Sequence, residues 1–170
     1  YGRNLKDKKD QVVSGSILEH ILAQHLVQFF NVGEHNHIRL ENADWNDGLD
    51  MAYERGESVA FTSVYGSNLA RLANLLEEII TRKGLHKVSL AKELMLLLDR
   101  ATGAKLNYNS VQSKKNRLLK YFDAVEPVIS GKKVEMPLQK IVQDLREKSG
   151  FIVEHIRQKE WIQTRAGDGL

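Results

Sequence analysis

Within seven residues, Asp44-Trp45-Asn46-Asp47-Gly48-Leu49-Asp50, the chain gathers three carboxylates, an amide and an indole. A string of this kind can bind a cation or a sugar. Read as an EF-hand loop starting at Asp44, it has Asn46 at position 3 but Gly48 at position 5. Leu49 stands at position 6, where glycine is needed, and Arg55 at position 12, where a bidentate glutamate belongs. Calcium binding in that mode is excluded. Sugars present hydroxyls to carboxylates and amides, and a flat C–H face to an aromatic ring; Asp, Asn and Trp supply both. A carboxyl beside an apolar ring has its neutral form favoured by desolvation, which suits a general acid near neutral pH. The competing reading is a turn in which Asp and Asn bond backbone groups and Trp45 anchors a core.

Other reactive side chains are fewer. Glu34-His35-Asn36-His37 has the alternate spacing of some metal sites, but two nitrogens do not make a site and no third ligand is identifiable. Hydrogen-bonded histidines in a polar loop are the simpler reading. His20 and His25, five apart, share no helix face and are expected to be partly buried helix residues. The absence of cysteine removes disulfides, zinc–thiolate sites and cysteine nucleophiles. No Walker A loop, Gly-x-Gly-x-x-Gly, Gly-x-Ser-x-Gly or His-Glu-x-x-His occurs.

The chain that must position these residues has 170 residues, with 25 Lys+Arg against 22 Asp+Glu, and 42% hydrophobic content. These values suit one folded domain or part of a larger one. No apolar run is long enough for a membrane helix, and the start lacks the apolar stretch of a signal peptide, so a membrane is not an expected partner; nor is nucleic acid, since no helix-turn-helix signature, aromatic stacking sheet or Cys/His finger is present. The basic clusters Lys6-Lys8-Lys9, Lys114-Lys115-Arg117-Lys120 and Lys132-Lys133 read as solvated faces. Starting at Tyr1 and stopping after the loop-like Arg165-Ala-Gly-Asp-Gly-Leu170, the chain is expected to be a fragment.

Periodicity predicts an all-α chain. A first helix spans 16–31, opened by the Ser16/Glu19 capping box and closed by a left-handed residue at Asn31 or Gly33. A second runs from Ser58 to Lys83 and ends at Gly84, with Gly66 suggesting close helix packing. A third is expected from the Ser89 cap to Gly103, and a fourth from Ser110 to Ala124. A short hairpin is expected over 128–134 around Ser130-Gly131. Pro137 opens a fifth helix, and a sixth follows Gly150. Between the first two helices, residues 33–56 show neither period, and their length marks an ordered functional loop.

The run Asn42 to Val59 resembles the glycoside phosphorylases of the cellobiose and chitobiose phosphorylase group (glycoside hydrolase family 94). Asp44-Trp-Asn-Asp-Gly48 followed by Gly56-Glu-Ser-Val59 opening a helix is that group's pattern, and Glu154-His-Ile-Arg and Glu160-Trp-Ile are also similar to it. Leu49-Asp50-Met51 and Tyr53-Glu54-Arg55 depart from it, which bears on linkage preference.

The resemblance implies that 1–170 is a slice of an (α/α)6 barrel catalytic domain, with 33–56 as its catalytic loop. Asp47 would be the general acid, Trp45 would line the sugar pocket, and Asn46 and Asp44 would brace the loop or contact hydroxyls. The reaction would be inverting, reversible phosphorolysis of a β-linked disaccharide or oligosaccharide to a sugar 1-phosphate. Inorganic phosphate would be co-substrate, with no cofactor or metal, in a cytoplasmic parent for which the resemblance allows a homodimer. Phosphate is already an anionic nucleophile, so the second carboxylate of an inverting hydrolase is dispensable. Nothing in the chain matches the group's phosphate-binding His and Thr, so the slice alone is expected to be inactive. A hydrolase or glucan-modifying transferase on the same acid loop, and a non-enzymatic helical interaction module, are the alternatives.

Overall fold

A computed structural model describes residues 6–40, 55–164 and 167–169 of the chain. Among them, four α-helices carry most of the mass: α1 (Ile17–Phe30), α2 (Val59–Lys83), α3 (Val111–Val125) and α4 (Leu138–Lys159). Short antiparallel pairs join β1 (Ile38–Arg39) to β2 (Glu57–Ser58), β3 (Lys87–Ala91) to β4 (Lys133–Pro137), and β5 (Ile162–Thr164) to β6 (Gly167–Gly169). The expected all-α chain is mostly helical, with these short strand pairs added.

The helix starts follow side-chain chemistry. Ser16 Oγ accepts the Glu19 N–H at 3.2 Å and Glu19 returns a bond to the Ser16 N–H at 2.7 Å, the capping box read from the sequence. Ser58 and Ser110 cap α2 and α3 by accepting from the N–H groups of Phe61 and Ser113. Gly84, at φ +63°, closes α2 in the left-handed region. The end of α1 differs from expectation: Asn31 has φ −86°, Gly33 is absent from the positive-φ residues, and Asn36 takes the left-handed conformation at φ 68°.

α2 and α4 pack antiparallel, with Gly66 opposite Ser149 and Ile152 and Glu77 opposite Arg146, and Gly66 allows a close approach. A Cβ there would stand 2.8 Å from Ile152 Cγ2, while Ser149 Oγ donates to the Gly66 carbonyl at 2.8 Å. Leu69, Leu72 and Leu76 of α2 join Leu22, Leu26, Phe29 and Phe30 of α1 and Ile141, Val142, Leu145 and Ile152 of α4 in one buried cluster.

Four predicted elements are corrected. The Ser89–Gly103 helix is instead β3 followed by a 3-10 turn, Lys92–Leu96, because Val88 and Leu90 alternate inward opposite Met136 and Val134. The local hairpin at 128–134 does not form. Gly131 turns at φ +69°, and the strand lies further on at Lys133–Pro137, paired with distant β3. The fifth and sixth helices are one: α4 runs straight through Gly150, beside which no atom lies within 4 Å of a built Cβ.

The interior holds more charge than the composition suggested. Lys148 Nζ bridges Asp99 Oδ1, at 2.8 Å, and Asp144 Oδ1; Asp144 Oδ2 also accepts the N–H groups of Arg100 and Ala101. Tyr108 OH donates to Asp99 at 2.9 Å. Lys114, read from the sequence as a solvated face, is 1% exposed, with Nζ 4.3 Å from the Phe29 ring centroid and 4.5 Å from that of Phe151. Among the described residues no carboxylate pairs with it. Burial, aided by neighbouring Lys148, pulls its ammonium down to about 7.

Candidate functional site

The stem that closes residues 41–54 is the most specifically built feature of the surface. Ile38 pairs with Ser58 and Arg39 with Glu57, and the Leu40 N–H donates to the Gly56 carbonyl at 2.9 Å. The two ends of the segment therefore meet one strand spacing apart. Below the stem, Val32 to Ile38 folds into a tight turn in which the Gly33 N–H reaches the His37 carbonyl at 2.9 Å.

Glu57 holds that turn. Its Oε1 accepts the His35 N–H at 2.9 Å, its Oε2 accepts the His37 N–H at 2.9 Å, and the His35 ring nitrogen lies 3.1 Å from Oε1. Burial alone would raise its pKa; the two backbone N–H groups and the His35 ring outweigh burial and hold the carboxyl below its ordinary range. Gly33 is required here by space, since a Cβ would fall 2.3 Å from Glu57 Cδ. One residue after His37, the Ile38 N–H donates to Thr62 Oγ1 at 2.9 Å, and that hydroxyl donates to the Ser58 carbonyl. The Gly56-Glu57-Ser58-Val59 string thus supplies a carbonyl that closes the stem, a carboxylate that grips the turn and a helix cap in sequence.

A second tie reaches α4. His37 Nε2 lies 3.0 Å from Glu160 Oε1, and its ring sits 5.0 Å from that of His155. His155 Nε2 in turn bonds the His35 carbonyl at 2.9 Å, and burial lowers its pKa. Asn36 Nδ2 donates to the Tyr108 carbonyl at 3.0 Å. Among the described residues, Asn36 Oδ1 and His37 Nδ1 are buried without a hydrogen-bond partner, each at a cost of about 1–3 kcal/mol. With Asn36 in the left-handed region, the turn concentrates unfavourable features beside the segment it supports, as functional sites do.

The predicted site residues Asp44, Trp45, Asn46 and Asp47 lie outside the described residues. Of the histidines, His35 and His37 are hydrogen-bonded in a polar turn as expected, and no trio of His, Asp or Glu among the described residues is placed to hold a metal. His25 is half-buried, its Nδ1 bonded to the Ile21 carbonyl, but His20 is exposed rather than partly buried. Sequence reasoning passed over Glu57, His155 and Glu160 as functional positions. Each lies in a string that carries the resemblance, Gly56-Glu-Ser-Val59, Glu154-His-Ile-Arg or Glu160-Trp-Ile, but no role is read for it there. An open depression lined by Asn74, Glu77, Glu78, Thr81 and Arg82 lies about 24 Å along α2 from Ser58 and takes no part.

No helix among the described residues is long and apolar enough to cross a membrane. In comparisons with known proteins, no family model matches the chain, and no curated protein is significantly similar to it.

Proposed function

We propose that the chain carries the acid-bearing portion of an inverting glycoside phosphorylase within an (α/α)6 barrel, acting on a β-linked glucoside and phosphate. The observation that carries this reading is the paired strings Asp44–Gly48 and Gly56–Val59, joined to a stem that spends stability to fix the backbone on either side of them. Asp47, as the neutral acid, protonates the departing glycosidic oxygen while phosphate attacks the anomeric carbon from the opposite face. The C–O bond to the leaving sugar breaks as the C–O bond to phosphate forms. Trp45 offers a ring to the sugar, and Asn46 and Asp44 brace or contact hydroxyls.

The test is phosphate-dependent release of sugar 1-phosphate from β-linked disaccharides by the full-length parent. Asp47→Asn, nearly isosteric, should abolish turnover, a loss of at least about 100-fold, while thermal unfolding stays within a few degrees. Sugar release without phosphate would favour the hydrolase, and near-normal turnover would remove Asp47 from the role.

A further inference from the structure

The end of α4 meets the turn at 33–38 through two histidines that are both buried, His37 at 3% and His155 at 8% exposure, with ring centroids 5.0 Å apart. Each ring makes one bond across the contact. His37 Nε2 lies 3.0 Å from Glu160 Oε1, and His155 Nε2 lies 2.9 Å from the His35 carbonyl. A carbonyl only accepts, so His155 Nε2 carries the hydrogen and any further proton must go to Nδ1. The groups facing that ring do not welcome it. His37 stands on the turn, Lys114 on α3 and Lys159 on α4 itself. Phe151, stacked on His155 at 5.7 Å, also carries Lys114 Nζ 4.5 Å from its centroid.

Among the described residues, the carboxylates at this junction serve other groups. Glu160 bonds His37, and Glu57 bonds the His35 ring and the N–H groups of His35 and His37. Deeper in, Asp99 and Asp144 are bridged by Lys148. A charge on His37 therefore meets a partner, and a charge on His155 meets none.

We propose that the His37–His155 pair is an acid-released catch that fastens the end of α4 to the turn at 33–38. Burial first, and then His37, Lys114 and Lys159, hold the docked His155 imidazole below its ordinary value of 6.5. When the end of α4 lifts off, water returns the ring toward that value. Below pH 6.5 the released form binds a proton that the docked form refuses. Docking is thus complete above 6.5 and weakens below it, by up to about tenfold in equilibrium constant per pH unit. The His37–Glu160 bond goes with it, because both bonds leave α4 within its last few residues. A proton on His35 only tightens its pair with Glu57, so the turn keeps its own bonds while its tie to α4 is lost. The catch operates whichever reaction the chain serves.

The chain has no cysteine, so spin labels can be placed singly at exposed Glu34→Cys and Arg157→Cys in the full chain. Their separation should be single at pH 7.5, and a longer population should grow between pH 6.5 and 5 while helical circular dichroism holds constant. His155→Gln keeps an N–H donor for the His35 carbonyl but cannot titrate, and it should stay docked throughout. In NMR titrations the His155 ring should protonate below 6.5, and His37→Gln, which removes the facing ring, should raise that value. A separation independent of pH, or the same growth in His155→Gln, would overturn the catch. So would protonation of His155 at 6.5 or above, and helicity lost in step with the distance would mean global unfolding instead.

Discussion

At the scale of single residues, one half-buried and one buried charge have opposite consequences for stability. Glu57 is ionised and satisfied. Its depressed pKa means that its contribution is present above the ordinary carboxylate value of 4.5 and is lost as pH falls through the folded value. Glu57→Ala, leaving two backbone N–H groups without their acceptor, should cost about 2–3 kcal/mol in urea unfolding at pH 7. Much of that difference should vanish at strongly acidic pH. Lys114 is the reverse case. Between about pH 7 and its ordinary 10.5, the unfolded chain keeps a proton that the folded chain has released, so stability should rise with pH across that window. The Phe29 and Phe151 rings favour the charged form and oppose part of the effect, leaving about 3 kcal/mol. Lys114→Met should be more stable at pH 7 and should flatten the rise; an unchanged slope in denaturant melts at pH 7 and pH 10 would exclude Lys114 as its source.

At the scale of elements, the two helical glycines should respond with opposite sign. Gly66→Ala drives a methyl into Ile152 across the α2–α4 contact and should destabilise by about 1–3 kcal/mol. Gly150→Ala meets open space inside α4 and should stabilise by about 0.5–1 kcal/mol. Thermal melts of the two variants distinguish them directly. The same pair shows what local sequence can convey. Ser16, Ser58, Ser110 and Gly84 mark helix ends because capping is decided within four residues, and all four lie where the pattern put them. Gly150 looks like a stop, yet burial of Leu145 and Ile152 on either side outweighs its poor propensity. The 89–103 region failed for another reason. Leu90, Leu94, Leu97 and Leu98 fit either period, and the choice was made by β4, more than forty residues away. The stem was equally hidden, since His37, Glu57 and Glu160 converge only through tertiary contacts.

At the scale of the whole molecule, the surface retains many large apolar side chains. Ile17 is 80% exposed, and Val64 and Leu75 of α2, Leu119 and Phe122 of α3 and Val153 of α4 are also open. Individually they are ordinary, but their spread over four helices leaves apolar surface on several faces of the described residues, which the proposed barrel would cover. The 170-residue chain is therefore expected to self-associate in a concentration-dependent way. Sedimentation velocity across a tenfold dilution series checks this; a clean monomer throughout would favour the interaction-module alternative.

The hydrogen bond between Leu40 and Gly56 also bears on how such a chain can diversify. Anchors about 4.8 Å apart make the intervening stretch a cassette, whose length and composition can change with little penalty to the framework. Doubling its length adds only about 0.6 kcal/mol of closure entropy. New chemistry could be grafted there by exchanging residues 41–54 as a block, with Gly33, His37, Glu57 and Thr62 kept as the socket.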